Sequence, residues 1–173
     1  RSFSIIWLGL SSLGLSSSVE AARGLTMAFH PEIERVWLLR SVPTMPPPSD
    51  VLTIEQGYIR RADAKAAGLE SKCRLRRSAS LDGTITLTQT RKTGRGMVRE
   101  EEEITLLQPE FDRLWPLTRG RRVAKTRHCI PVCEQGGGVW EVDVFQTLDL
   151  VMAEIELHSP STAVALPAWL SPS

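Results

Sequence analysis

The sequence lacks an excess of charge of either sign. Its 173 residues include 21 Lys and Arg against 20 Asp and Glu, so the formal net charge is +1. A chain this balanced has no overall electrostatic field that attracts a nucleic acid or a membrane surface. The composition therefore predicts a protein that has neither as a partner.

Cysteine is scarce as well, with Cys73, Cys129 and Cys133 making an odd number. Three thiols cannot form a complete disulfide framework, which favours a reducing compartment and predicts a cytoplasmic protein. His128 and Cys129, with Cys133 four residues on, resemble half of a zinc site. The sequence lacks a second half-site, so free thiols at strand ends are the favoured interpretation.

A long hydrophobic run is missing too. The apolar, Ser-rich segment 3–15 resembles a secretory signal peptide but is too short to span a bilayer. Because Met27 stands a few residues before the first charged strand, the favoured interpretation makes residues 1–26 an upstream extension outside the fold. Residues 27–173 then form one domain, and 42% hydrophobic residues are enough for a sizeable core.

Like-charged residues recur two positions apart along this domain. The pairs are Glu32 with Glu34, Arg74 with Arg76, Lys125 with Arg127, Glu141 with Asp143, and Glu154 with Glu156. In a strand, residues i and i+2 point to one face, so each pair places two like charges about 6.5 to 7 Å apart. Apolar or small residues stand between the charges, which reverses the usual pattern of a core strand. Since unneutralised buried ions are costly, the pattern predicts a tunnel that binds divalent metal and a phosphate chain.

Short alternating segments predict about eight strands. They cover residues 32–39, 51–59, 72–77, 84–90, 99–106, 125–132, 139–145 and 151–157. Asp82 and Gly83 predict a hairpin turn, and a helix is expected from Pro109 to Gly120. Segment 60–71 fits either an exposed helical turn or a linker. The expected fold is α+β and mainly β, a closed eight-stranded antiparallel β-barrel with a few flanking helices.

The order of the motifs resembles that of the CYTH superfamily, the triphosphate tunnel metalloenzymes, and of its short bacterial members. HPEIERVWLL is similar to the ExExK strand that opens those domains. The motifs that follow in family order are IEQGYI, CRLRR, a KTG turn, EEEEITL, KTRHCIP, WEVDVF, AEIEL and LPAWL. The resemblance covers nearly everything from residue 32 to residue 170.

The resemblance implies a metal-dependent triphosphatase and assigns roles to individual residues. Acidic positions that hold Mg²⁺ or Mn²⁺ in the family match Glu32, Glu34, Asp143, Glu154 and Glu156. Basic positions that grip the triphosphate match Arg74, Arg76, Lys125 and Arg127, and Lys72 and Lys92 extend that set. Catalysis is expected of Glu32, Glu34, Lys125 and Arg127. The implied reaction is metal-assisted attack of water on a terminal phosphoryl group.

Two family lysines are replaced in this sequence. Val36 ends the ExExK motif, and Thr90 stands where the fourth strand usually carries lysine. Both lost cations are expected to face the tunnel, so weak turnover is predicted, with Lys92 able to replace one charge. Other conspicuous residues, Tyr58 and Trp140, are expected to pack rather than to contact substrate.

Three functions follow from these expectations. The leading one is hydrolysis of inorganic, nucleoside or thiamine triphosphate by a monomer or homodimer. The second is a degenerate domain that binds polyphosphate or a nucleotide without turnover. The third, adenylate cyclase, belongs to another branch of the same family. Glu141 and the run 100–103 fit a solvated face at least as well as a site, although Glu101 and Glu103 share one face.

Overall fold

The structure is a computed structural model. It describes residues 28–30, 33–93, 100–132, 138–157, 159 and 161–170, of which 28–30, 92, 93, 100 and 101 are described by backbone alone. The predicted extension 1–26, Glu32, Cys133 and the KTG turn beyond Thr93 lie outside this part of the chain. Within the described ranges, no helix has the length and hydropathy that a membrane crossing requires.

One antiparallel sheet of nine strands forms the body of the protein. The strands are β1 (Ala28–His30), β2 (Glu34–Leu39), β3 (Asp50–Ile59), β4 (Cys73–Ser80), β5 (Ile85–Thr93), β6 (Glu100–Thr105), β7 (Arg122–Pro131), β8 (Val139–Phe145) and β9 (Val151–Glu156). Their order across the sheet is β1-β6-β5-β4-β3-β7-β8-β9-β2. The helices are α1 (Arg61–Ala66), α2 (Gln108–Leu114) and the 3-10 helices Trp115–Thr118 and Ala168–Leu170.

The sheet curls because its two edge strands follow each other in the chain. β1 pairs with β6 and β2 pairs with β9, at opposite edges of the sheet. Four peptide units join His30 to Glu34, and they span at most about 14 Å. Nine strands laid flat would be about 38 Å wide at the usual strand spacing. The edges are therefore brought together, and the charged face of the sheet surrounds a cavity.

The predicted antiparallel, mainly β fold with few helices is confirmed, but its strand number and closure need correction. Within the described part of the chain the sheet has nine strands, because β1 precedes the eight predicted ones. Among the described residues no ladder joins β1 to β2, so the sheet is not a barrel closed by continuous pairing. The physical reason is that β1 and β2, which are consecutive in the chain, form the two edges of the sheet. Before residues 31–33 the chain pairs with β6, and after them it pairs with β9.

Local sequence signals account for most of the connections. Gly83 has φ +86° in the predicted hairpin turn, and Gly120 has φ +75° just after the predicted helix, so both adopt a conformation that glycine favours. That helix is shorter than expected, because α2 ends at Leu114 and gives way to a 3-10 helix that contains Pro116. Segment 60–71, for which two interpretations fitted, contains α1.

Most of the buried apolar residues lie on the outer face of the curled sheet and are covered there by other elements. One cluster packs Leu75 and Leu87 of the sheet against Ala64 of α1 and Phe111 and Leu114 of α2. A second cluster covers the other half of the sheet. Its buried members are Ile33, Ile130, Trp140, Val142, Ala153, Ile155, Leu157 and Leu170. With the apolar face outward and covered, the charged face is left to line the interior.

Candidate functional site

The ladder register places the predicted charged pairs on one continuous face. Directly opposed residues of an antiparallel ladder share a face of the sheet. Glu34 lies opposite Glu156, Glu141 opposite Glu154, and Asp143 opposite Arg127. The register continues through β3 and β4 to the far wall, where Arg74 lies opposite Thr90 and Thr90 opposite Glu103.

This face surrounds a cavity of about 1030 Å³. Its charged lining comprises Glu34, Glu103, Glu141, Asp143, Glu154 and Glu156 together with Arg74, Arg76, Lys125 and Arg127. Strands β2, β8 and β9 supply most of the carboxylates, and strands β4 and β7 supply the cations. The cavity thus has an acidic wall and a basic wall, and these terms are used below for those two groups of strands.

Asp143 links the two walls. The residue is completely buried, and its carboxylate accepts hydrogen bonds from Lys125 Nζ and, at 2.8 Å each, from Arg127 Nε and Nη2. Although burial alone would raise the pKa of Asp143, the hydrogen bonds and charges of Arg127 and Lys125 lower it below its ordinary value. Asp143 therefore remains ionised and neutralises cations that would otherwise be isolated inside the protein.

Arg127 contacts two further carboxylates, those of Glu141 and Glu154. Although burial alone would lower the pKa of Arg127, its hydrogen bonds and attraction to Asp143, with the charges of Glu141 and Glu154, raise it. Burial also lowers the pKa of Lys125, and the neighbouring charge of Arg127 acts in the same direction. In this conformation the guanidinium of Arg127 is held by carboxylates, so an incoming anion must compete with them.

Glu141 has the most strongly shifted carboxyl group on the acidic wall. Burial raises the pKa of Glu141 to about 7, and its contact with Glu154 adds to this effect while Arg127 opposes it. A carboxyl group in this position carries a proton near neutral pH unless another cation stabilises the ionised form. Crowded carboxylates of this kind favour binding of a cation between them.

On β4 the basic wall is less fully neutralised than on β7, although Arg74 forms an ion pair with Glu103 at 3.6 Å. Arg74 donates a hydrogen bond to Thr90 Oγ1 at 3.0 Å, and Thr90 donates to Glu103 Oε2 at 2.7 Å. Arg76 makes no ion pair with any of the described residues, and its Nε is buried without a hydrogen-bond partner. Burial, with the charges of Arg74 and Arg127, lowers the pKa of Arg76. The charges of Glu103 and Asp143 act in the opposite direction on this pKa. Arg76 is thus a cavity cation that makes no ion pair with a carboxylate of the described residues.

The carboxylates of the acidic wall are suitable ligands for a hard divalent cation. Carboxylate oxygens are the ligands that Mg²⁺ and Mn²⁺ prefer, and Mg²⁺ commonly takes only one or two of them. Glu34 and Glu156 are cross-strand partners, and Glu154 shares their face. Both oxygens of Asp143 are already engaged, so Asp143 suits a metal less well in this conformation.

No ready-made metal centre exists among the described residues, where no group of three or more His, Cys, Asp or Glu side chains is close enough to hold an ion. This geometry agrees with a cation that completes its shell from water or substrate. Cys73 and Cys129 are free thiols. Because Cys133 lies outside the described residues, the zinc half-site stays an unfavoured interpretation.

Most of the predicted site residues come together in the cavity. Those that line it are Glu34, Asp143, Glu154, Glu156, Arg74, Arg76, Lys125 and Arg127. Lys72 is exposed just before β4 and does not line the cavity. Lys92 lies opposite Glu101 on the face that the cavity uses, but its side chain is not described. Glu32 lies outside the described residues.

Gln56 also lines the cavity and had no predicted role, and Glu103 and Glu141 line it although a solvated face was expected to fit them at least as well. Tyr58 was expected to pack but is 44% exposed on the cavity wall. The i, i+2 spacing from Asp143 is the signal that identifies Glu141 as a member of the same face. Trp140 packs as expected, since it is buried with its ring 5.1 Å from that of Trp37.

Comparison with known proteins relates the chain to triphosphatases, although no protein-family model matches it. The inorganic triphosphatase of Nitrosomonas europaea is 38% identical over 84 residues, which cover 46% of this chain and 54% of that protein. The matched region thus spans about half of that relative's length. The crystal structure of the inorganic triphosphatase NE1496 is 30% identical, covering 79% of this chain and 84% of that chain with a TM-score of 0.48.

A more distant structure is that of the PH1819 protein from Pyrococcus horikoshii OT3. It is 19% identical and covers 65% of this chain and 67% of that chain, with a TM-score of 0.46. With TM-scores below 0.5 for both structures, the relationship rests on sequence identity and on the order of the motifs rather than on superposition.

Replacing Asp143 with Asn should strongly destabilise the fold. The substitution leaves Lys125 without its carboxylate partner in a buried position, and breaking a buried ion pair in this way costs about 3 to 5 kcal/mol. Urea unfolding measures the loss. Glu156→Gln, on the same face but exposed, is the control and should cost less than about 1 kcal/mol. Equal effects of the two substitutions would contradict the central role given to Asp143.

Glu141 should make stability fall as pH rises. Its pKa is about 7 in the folded protein against an ordinary value of 4.5, so the folded state binds the proton more tightly than the unfolded state. The stabilisation is complete below pH 4.5 and is lost as pH rises through 7. Glu141→Gln should remove this dependence when the free energy of unfolding is measured at pH 5 and pH 8 without metal. An unchanged slope in the variant would show that Glu141 titrates normally.

Proposed function

This chain belongs to the CYTH superfamily, the triphosphate tunnel metalloenzymes, and on that premise we propose that it is a metal-dependent triphosphatase. The proposed substrate is inorganic triphosphate, or else a nucleoside or thiamine triphosphate. The observation that carries the proposal is that carboxylates on one group of strands and cations on another line the same cavity. The identity to a protein named inorganic triphosphatase supports the same reaction.

The cations of the basic wall take the role of binding the phosphate chain. Arg74 and Arg76 on β4 and Lys125 and Arg127 on β7 line one cavity on either side of β3, so their charges can follow successive phosphoryl groups. Arg76 makes no ion pair within the described part of the chain and its Nε has no hydrogen-bond partner there, which makes it the first candidate to receive a phosphoryl oxygen. Arginine binds such oxygens through a planar fork of N–H donors, and lysine binds them as a point charge.

The carboxylates of the acidic wall take the role of holding Mg²⁺ or Mn²⁺. Glu34, Glu154 and Glu156 fit this role, and Glu32 joins them by family resemblance. A divalent ion bound there supplies a Lewis acid for phosphoryl oxygens and lowers the pKa of a bound water. The remaining contribution of the protein is electrostatic, because the arginines stabilise the charge that the phosphoryl group carries in the transition state.

Binding without turnover is the second candidate, and the two missing lysines favour it. Val36 lies opposite Glu154 on the face that the cavity uses, where it adds no positive charge. Thr90 lies beside Arg74 and supplies a hydroxyl where relatives carry an ammonium. Nothing in the described residues favours adenylate cyclase over hydrolysis.

The proposed reaction predicts release of phosphate from triphosphate that requires Mg²⁺ or Mn²⁺ and stops when the metal is chelated. Release is measured in parallel for inorganic, thiamine and nucleoside triphosphates. Arg76→Ala should lower kcat/KM about tenfold or more, because a charge-assisted contact to phosphate is lost. Arg77→Ala is the matched control, since its side chain pairs with Glu55 on the opposite face.

Two outcomes of this assay would count against the proposal. Binding of triphosphate without any phosphate release would favour the second candidate. An Arg76→Ala variant as active as Arg77→Ala would contradict the proposal that the basic wall binds the phosphate chain.

Restoring the family lysines should raise activity. Val36→Lys with Thr90→Lys adds two cations to the tunnel face, and each contact to phosphate is typically worth about 1.5 to 3 kcal/mol, roughly ten- to hundredfold. The measurement is kcat/KM for triphosphate hydrolysis, with Kd as the second readout. Thr53→Lys, which adds the same charge to the exposed outer face of β3, is the control and should change neither.

Lys92 provides the reverse test. Lys92→Ala should lower triphosphate hydrolysis or binding by the natural protein if Lys92 replaces one of the lost charges. An efficient natural protein together with a double lysine variant that gains nothing would contradict the importance given to Val36 and Thr90.

A further inference from the structure

Three polar groups without partners lie in one row across the tunnel face. Gln56 on β3 lies opposite Arg76 on β4, and Arg76 lies opposite Thr88 on β5. In this row, the buried atoms that find no hydrogen-bond partner among the described residues are Gln56 Oε1, Arg76 Nε and Thr88 Oγ1. Gln56 and Arg76 line the cavity, and Thr88 lies next to Arg76 in the row but is not among the lining residues. Gln56 and Thr88 are only 6% and 8% exposed. Buried polar groups are normally satisfied, so three such neighbours beside a cavity indicate a ligand.

Tyr58 determines what Gln56 offers to that ligand. The two side chains share a hydrogen bond of 2.8 Å between Gln56 Nε2 and the Tyr58 hydroxyl oxygen. The oxygen and nitrogen of an amide are assigned from the hydrogen-bond network, and a tyrosine hydroxyl can donate as well as accept. If Tyr58 donates to Gln56 Oε1, the amide NH₂ is freed. The row then presents donors from Gln56, Arg76 and Thr88.

Three donors, one of them positively charged, match an anion with several acceptor oxygens. A water molecule would leave the charge of Arg76 without a counterion, and it accepts at most two hydrogen bonds. A phosphoryl group satisfies all three donors and neutralises Arg76.

We propose that Gln56 and Thr88 flank Arg76 as neutral donors to one phosphoryl group of the substrate, and that Tyr58 is the positioning residue that turns the Gln56 amide toward it. This assignment rests on the proposed function, because it concerns the phosphate chain that the cavity receives. Gln56 and Thr88 would add contacts to phosphate in a protein where Val36 and Thr90 stand at the positions of two family lysines.

The test is calorimetric binding of imidotriphosphate, a triphosphate analogue with NH bridges that resist hydrolysis, in the presence of Mg²⁺. Gln56→Met keeps the length of the side chain and removes both polar atoms. Affinity should fall about tenfold or more, as expected when a hydrogen bond to a charged group is lost. The ligand-free variant should melt no earlier than the natural protein, because removing the unpartnered Gln56 Oε1 offsets the loss of the hydrogen bond to the partly exposed Tyr58.

Two further variants separate this role from a structural one. Gln89→Met makes the same change at a buried glutamine on the opposite face of β5 and should leave affinity unchanged. Tyr58→Phe should weaken binding in the natural background and have no effect in the Gln56→Met background, because Tyr58 acts through Gln56.

The inference is overturned if Gln56→Met binds the analogue as tightly as the natural protein, or if Tyr58→Phe weakens both backgrounds equally. A natural protein that does not bind the analogue at all would overturn the proposed function together with this inference. Binding that survives every change at Gln56 but is lost in Arg76→Ala would overturn the inference alone.

Discussion

Neutralisation of charge inside the curled sheet is the constraint on which the rest of the structure depends. An ion removed from water costs several kcal/mol even after the protein relaxes, so every interior charge needs a partner. Asp143 provides that partner for Lys125 and Arg127, and the ladder between β7 and β8 puts it directly opposite Arg127. Because of these contacts, a phosphate chain must compete with the carboxylates for Arg127. A bound cation would neutralise the carboxylates that Arg127 then leaves.

A charged interior forces the apolar residues of the sheet to the outside, where they need cover. Helices α1 and α2 cover Leu75 and Leu87, and the segment that ends in Trp169 and Leu170 covers the other half. The cover holds the strands in register, and the register aligns acidic and basic residues across the cavity. Packing on the outer face therefore positions the chemistry on the inner face.

Sequence periodicity was sufficient to predict the strands and the charged face, because i, i+2 spacing is a local property of a strand. It could not predict closure, since that depends on β1, three residues long, pairing with the distant strand β6. Periodicity also missed Gln56 and Tyr58, whose neutral side chains resemble ordinary strand residues until the register brings Gln56 beside Arg76. The exposed position of Lys72 follows from its place before β4, where strand alternation no longer applies.

The most direct test of the central claim is a crystal structure with triphosphate and Mn²⁺, in which anomalous scattering locates the metal. Mn²⁺ should lie against Glu34, Glu154 and Glu156, with phosphate oxygens on Arg74, Arg76 and Arg127 inside the cavity. Triphosphate on the outer surface, or Mn²⁺ away from the acidic wall while Arg127 keeps its carboxylate contacts, would contradict it.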